Sequence, residues 1–123
     1  MALSPSSRAQ LRDGEAVLRQ SRANLKTTFI VPLGGMLLLT NKRLIFLPDR
    51  FSIPIRARRA KDVILDLASV KSVNILKGDT NALLAGSVRP RLHVQCEEAS
   101  YLFHVWGLDE WIRALREAIG NAV

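Results

Sequence analysis

Cysteine, long apolar runs, aromatic residues and acids are all scarce in this chain. One cysteine in 123 residues, Cys96, excludes an internal disulfide. The fold must rest on burial, and the composition suits a reducing, cytoplasmic compartment. The longest apolar stretch, Phe29 to Leu39, is broken by Pro32, Gly34 and Gly35, well short of the ~20 residues that a spanning helix needs. The first ten residues hold no apolar block, so no secretory leader is expected. No glycine-rich phosphate loop precedes a helix, and neither the H-E-x-x-H nor a Ser-His-Asp spacing occurs. His93 and Cys96 stand three apart in a strand-like run, hence on opposite faces, and cannot share a metal. No metal, no cofactor and no catalytic residue is expected, and the chain reads as a non-enzyme.

What is present is a long enough chain for one domain with a real core. Hydrophobic residues make up 48% of it, and they are distributed in short alternating runs rather than helical stripes. Gly35 to Pro48 is the clearest segment. Two apolar runs, Met36 to Leu39 and Leu44 to Leu47, flank the polar step Thr40-Asn41-Lys42-Arg43, which is how a tight hairpin is written. Asn41 is expected to supply the positive φ of a two-residue turn.

Further strand-like runs occur at Glu15 to Leu25, Lys61 to Leu67, Ser69 to Leu76, Arg91 to Cys96 and Ser100 to Trp106, with a bend at Ala68-Ser69 and a turn at Glu97-Glu98-Ala99. Only the last segment changes period. Asp109 reads as an N-cap, Trp111, Ile112, Leu115 and Ile119 form one apolar stripe, and Gly120 ends the helix. Burying those four side chains contributes roughly 1.5–3 kcal/mol each. Both tryptophans, Trp106 and Trp111, read as packing anchors. Residues 1–12 are expected to be a flexible lead-in and 13–120 a single domain.

About seven strands and one terminal helix predict a mainly β, partly open seven-stranded barrel. Its two near-orthogonal antiparallel sheets would be capped by a C-terminal α-helix. The wording of the strands narrows this further. Gly14-Glu15 before Val17-Leu18, the Gly35 to Phe46 hairpin, Asp66 to Val73, Tyr101-Leu102-Phe103 and Trp111-Ile112 together resemble the GRAM domain family, a branch of the pleckstrin-homology (PH)-like superfold. The resemblance covers roughly Asp13 to Ile119. It implies a PH-like barrel and, as a tendency, a membrane-associated or other binding role.

The net charge of +7 is unevenly spread. Lys42, Arg43, Arg50, Arg56, Arg58, Arg59 and Lys61 face only one acid, Asp49, within twenty positions. That stretch is either a site for an anionic partner or a solvated loop. Phe51 and Ile53 lie among its arginines, either as exposed wedges or as a short buried strand with Ile55. The leading expectation is peripheral association with anionic membrane lipid through Lys42, Arg43, Arg50, Phe51, Ile53, Arg56, Arg58, Arg59 and Lys61. The alternative is a protein-interaction scaffold that recognises a partner peptide or domain. Nucleic acid fits less well, because the basic stretch offers one aromatic where single-strand binders use several.

Overall fold

The structure, a computed structural model, describes residues 9–26, 33–49, 62–76 and 90–122. Seven strands are formed: β1 (Val17–Leu25), β2 (Leu33–Thr40), β3 (Arg43–Pro48), β4 (Val63–Asp66), β5 (Val70–Leu76), β6 (Arg91–Cys96) and β7 (Ser100–Val105). One 3-10 turn, Leu67–Ser69, joins β4 to β5, at the expected bend, and the helix α1 (Leu108–Ala122) ends the chain.

All neighbours are antiparallel, in the order β4-β3-β2-β1-β7-β6-β5. The two halves of the expected barrel, β1 to β4 and β5 to β7, are hydrogen-bonded into one continuous sheet. The reason is β1, whose nine residues serve both halves. It pairs with β2 from Val17↔Thr40 to Leu25↔Leu33, and with β7 through Ala23↔Val105, Asn24↔His104 and Leu25↔Phe103.

One apolar cluster draws residues from all seven strands and α1, including Leu25, Leu37, Phe46, Leu65, Val73, Leu92, Phe103 and Trp111. A flat sheet cannot bring both of its edges to one core, so the sheet rolls around this interior. Alternation determines the members: Leu37 and Leu39 face Leu44 and Phe46, as expected from the sequence. The Phe46 and Phe103 rings meet at 5.6 Å.

α1 closes the roll with Trp111, Ile112, Leu115 and Ala118 buried, while Ile119 is half-buried against them. Two details depart from expectation. The helix starts at Leu108, so Asp109 and Glu110 lie in its first turn, where carboxylates favour the positive helix end. It also runs through Gly120, which is exposed with open space where a Cβ would stand, so the glycine costs propensity without breaking the helix.

A second, smaller cluster lies on the outer face of β2 and β3. Leu38, Ile45 and Leu47 are buried there beneath Ala9, with Leu11, Val17 and Met36 alongside. This is why every residue of β3 is buried. Residues 9–12 pass across that face as a strap, with Ala9 and Leu11 against it.

Gly35 is where β2 approaches β3 most closely. A Cβ there would sit 2.3 Å from the Leu47 carbonyl oxygen and 2.9 Å from both Phe46 Cζ and Pro48 Cα. Two of these neighbours are backbone, so the strands themselves must separate. Gly35→Ala is expected to destabilise by about 3 kcal/mol, the upper end of overpacking costs. A thermal midpoint equal to that of the parent protein would contradict this contact.

Candidate functional site

Strand direction sorts the connections. With every neighbour antiparallel, the β1–β2 connection, the β3–β4 connection and the β6–β7 turn leave from one margin of the sheet. The β2–β3 turn and the β5–β6 connection leave from the other. The basic residues Arg50, Arg56, Arg58, Arg59 and Lys61, together with Phe51 and Ile53, lie outside the described residues. The residues that flank them, Asp49 after β3 and Asp62 before β4, are at the first margin. The Asp49 end is fixed: the Asp49 amide donates to the Gly34 carbonyl at 2.9 Å, and Arg22 makes a two-pronged pair with the Asp49 carboxylate, one arm at 2.9 Å.

Lys42 and Arg43 are at the other margin. β3 separates them from the Arg50–Lys61 segment by six residues, a rise of about 3.3 Å each. Arg43 is not a surface cation at all. It is 4% exposed, and its Nε and Nη2 donate to the Glu15 carboxylate at 2.8 and 2.6 Å. Its Nη2 also reaches the carbonyls of Ala9 and Gln10, at 3.4 Å each. A guanidinium this buried, with its Nε and Nη2 turned to Glu15 and to the Ala9 and Gln10 carbonyls, is not presented to a lipid headgroup, so Arg43 leaves the candidate site. Lys42 is exposed but donates from Nζ to the Asp13 carbonyl at 3.0 Å.

The rest of the turn serves the same clamp. The Thr40 hydroxyl donates to Glu15 at 2.6 Å and accepts from the amides of Lys42 and Arg43, at 3.1 and 2.8 Å. That hydroxyl shapes the turn. The expected positive φ at Asn41 is absent: among the described residues, Gln10 is the only non-glycine with one. The Asn41 amide instead grips the segment before β1, accepting from the Ala16 amide at 2.8 Å and donating to the Gly14 carbonyl at 3.0 Å. Gly14, at φ +76°, makes the turn that brings Glu15 beneath the hairpin. Gly14-Glu15 and Thr40 to Arg43, which belong to two of the segments that carry the family resemblance, are thus partners in one structural brace.

The Arg43 hydrogen bond holds the Glu15 carboxyl down at about 2 against the opposing effect of burial, with help from Thr40 and the Arg12 amide. A depressed carboxylate stabilises the fold fully above its ordinary value of 4.5 and loses that contribution as pH falls towards 2. The group is worth about 3 kcal/mol over that window. Chemical denaturation at pH 6 and pH 2.5 should show a steeper loss for the parent than for Glu15→Gln; equal losses would contradict the pairing.

Among the described residues no three metal-ligating side chains come together. His93 lies opposite Leu102. Burial pushes the Cys96 thiol up. Trp106 corrects another expectation: it is 70% exposed, whereas Trp111 is fully buried and donates from Nε1 to the Ser21 hydroxyl at 3.0 Å. Among the described residues no helix is long and apolar enough to cross a membrane.

No known family model matches the sequence, and no curated protein is significantly similar to it. Solved structures do match. The N-terminal PH domain of Vps36 superposes with a TM-score of 0.63 at 19% identity, over 90% of this chain and 83% of that one. The Slm1 PH domain, crystallised with phosphoserine, gives 0.57 at 14% identity over 85% and 96%. The N-terminal PH domain of human ARAP2 gives 0.57 at 12% identity over 82% and 77%. The fold is PH-like.

Proposed function

We propose that this chain is a non-catalytic, GRAM-like binding module that docks on the anionic inner face of a membrane through the segment Arg50 to Lys61. The observation that carries this reading is the shared margin. A segment with five basic residues and no acid leaves the sheet beside the β1–β2 connection, which carries Phe29, Ile30 and Val31. Arginines supply attraction of about 1 kcal/mol each near an anionic leaflet, and apolar side chains supply insertion. Arg50, Phe51, Ile53, Arg56, Arg58, Arg59 and Lys61 are the proposed contacts. Arg43 is excluded by its burial and Lys42 by its margin. The PH-like fold supports a binding role without specifying the ligand.

The acidic turn Glu97-Glu98 favours a second reading. It leaves from the same margin, where Glu97 reaches Lys71 at only 3.9 Å. Mixed charge at this end suits a partner peptide or domain better than a uniformly anionic surface.

Co-sedimentation with phosphatidylcholine vesicles, with and without phosphatidylserine, separates the two. The expected result is binding to anionic vesicles only, weakened by salt as the Debye length falls from about 10 Å at 0.1 M to about 3 Å at 1 M. Arg56, Arg58 and Arg59 all replaced by Ala should lose binding with an unchanged melting temperature. Phe51→Ser with Ile53→Ser should weaken it and leave the salt dependence. Equal binding to both vesicles, or none to either, rejects the membrane in favour of the scaffold.

A further inference from the structure

We propose that the outer face of β1, β7, β6 and β5 is a binding surface for single-stranded nucleic acid, independent of the membrane-docking segment. On this face the side chains of alternate residues stand clear of the core. Three flat rings lie on it, two in succession along the β7 direction and one on β6. Trp106, just beyond β7, is 70% exposed and its ring centroid is 5.9 Å from that of His104. His93 sits opposite Leu102, the next outward residue along β7, which makes it the diagonal neighbour of His104.

Cations flank the rings. One step past the Leu92↔Phe103 pair, Arg91 lies beside His104. On the other side, the Lys26 amide donates to the Leu102 carbonyl at 2.9 Å, so Lys26 extends β1 along the same row. The remaining outward positions are Leu18, Gln20, Arg22 and Asn24 on β1, Ser72, Asn74 and Leu76 on β5, Gln95 on β6 and Ser100 on β7. Among the described residues of these four strands, the face carries no Asp or Glu. Asp49 stands at its border, already engaged by Arg22.

These features select the occupant. A bilayer meets protrusions, but His93, Leu102 and His104 are half-buried in the sheet, so only a chain laid along the strands touches all of them. Four strands at about 4.8 Å spacing give a track about 14 Å wide, enough for one extended strand. An acidic peptide answers the cations and leaves the rings unused. A single-stranded nucleic acid uses both, with bases on the rings and phosphates on Lys26 and Arg91. The scarcity of aromatics in the basic stretch counts against nucleic acid only there; the fold gathers its rings from two other strands.

The test is titration of the protein with fluorescein-labelled 20-mers of oligo(U) and oligo(dT), reading anisotropy and intrinsic tryptophan fluorescence. Expected are saturable binding to one or both and quenching of the exposed Trp106 emission. Two phosphate contacts predict a slope of log K against log salt of about −1.4, which Arg91→Ala reduces by about 0.7. Trp106→Ala should weaken binding by about 5- to 150-fold, the range for losing one stacked base. Melting temperatures of both variants should be unchanged, as these side chains are on the surface. The variant with Arg56, Arg58 and Arg59 replaced should still bind and quench. Absence of binding overturns the proposal, as does binding that survives Trp106→Ala and Arg91→Ala. Tighter binding of poly-glutamate than of either oligonucleotide overturns it in favour of an acidic protein. Loss of anionic-vesicle binding in Trp106→Ala, with no oligonucleotide bound, overturns it in favour of lipid.

Discussion

Arg43→Ala is expected to lower the unfolding free energy by about 3–5 kcal/mol, because it leaves the Glu15 carboxylate buried and without its counter-charge. The Glu15 side chain is 0% exposed and that of Arg43 5%, so water cannot replace the lost guanidinium. The substitution also frees the carbonyls of Ala9 and Gln10 and loosens the strap over Leu38, Ile45 and Leu47. Urea denaturation followed by circular dichroism measures it. A companion protein carrying Glu15→Leu and Arg43→Met removes both charges together, and should recover much of the loss. If Arg43→Ala unfolds at the same urea concentration as the parent, the pair is not a brace. With the brace lost as expected, vesicle binding by Arg43→Ala falls only in proportion to the unfolded fraction, which separates its role from that of Arg56, Arg58 and Arg59.

Trp111→Ala is the second large effect, again about 3–5 kcal/mol. The indole is fully buried at the centre of the helix stripe and bonded to Ser21, and the Arg19 guanidinium lies 5.4 Å from its ring centroid. Its removal opens a cavity exactly where α1 meets β1, and costs the Ser21 contact as well. Against a total stability of about 5–15 kcal/mol for a typical domain, either loss removes a large fraction of what holds the protein folded. Trp111→Phe retains most of the volume and should cost only about 1 kcal/mol for the hydrogen bond. A Trp111→Ala protein that melts within a degree or two of the parent would mean that the stripe is not a core face.

Local order was legible because it is written locally. The alternation of Leu37, Leu39, Leu44 and Phe46 and the i, i+4 spacing of Trp111 and Leu115 need no knowledge of distant residues. The partners of polar groups were not legible in this way. Arg43 looks like the start of a basic run, and its counter-charge, Glu15, is 28 positions away. Composition counts charge but cannot say which charges are already paired. Trp106 misled for a related reason: alternation put it outward with His104, yet its size suggested a core anchor. The strap was hidden because Ala9 and Leu11 are too few to form a period.

The seam between β1 and β7 bears on how the chain acquires its shape. β1 to β4 form one meander and β5 to β7 another, each built from neighbours in sequence, whereas Ala23 must find Val105 across most of the chain. Closing so long a loop is entropically expensive and slow relative to hairpin formation. The two meanders are therefore natural early units, with the three-pair seam and the docking of α1 as the joining step. During synthesis β1 must wait, with one edge open, until the last third of the chain has emerged.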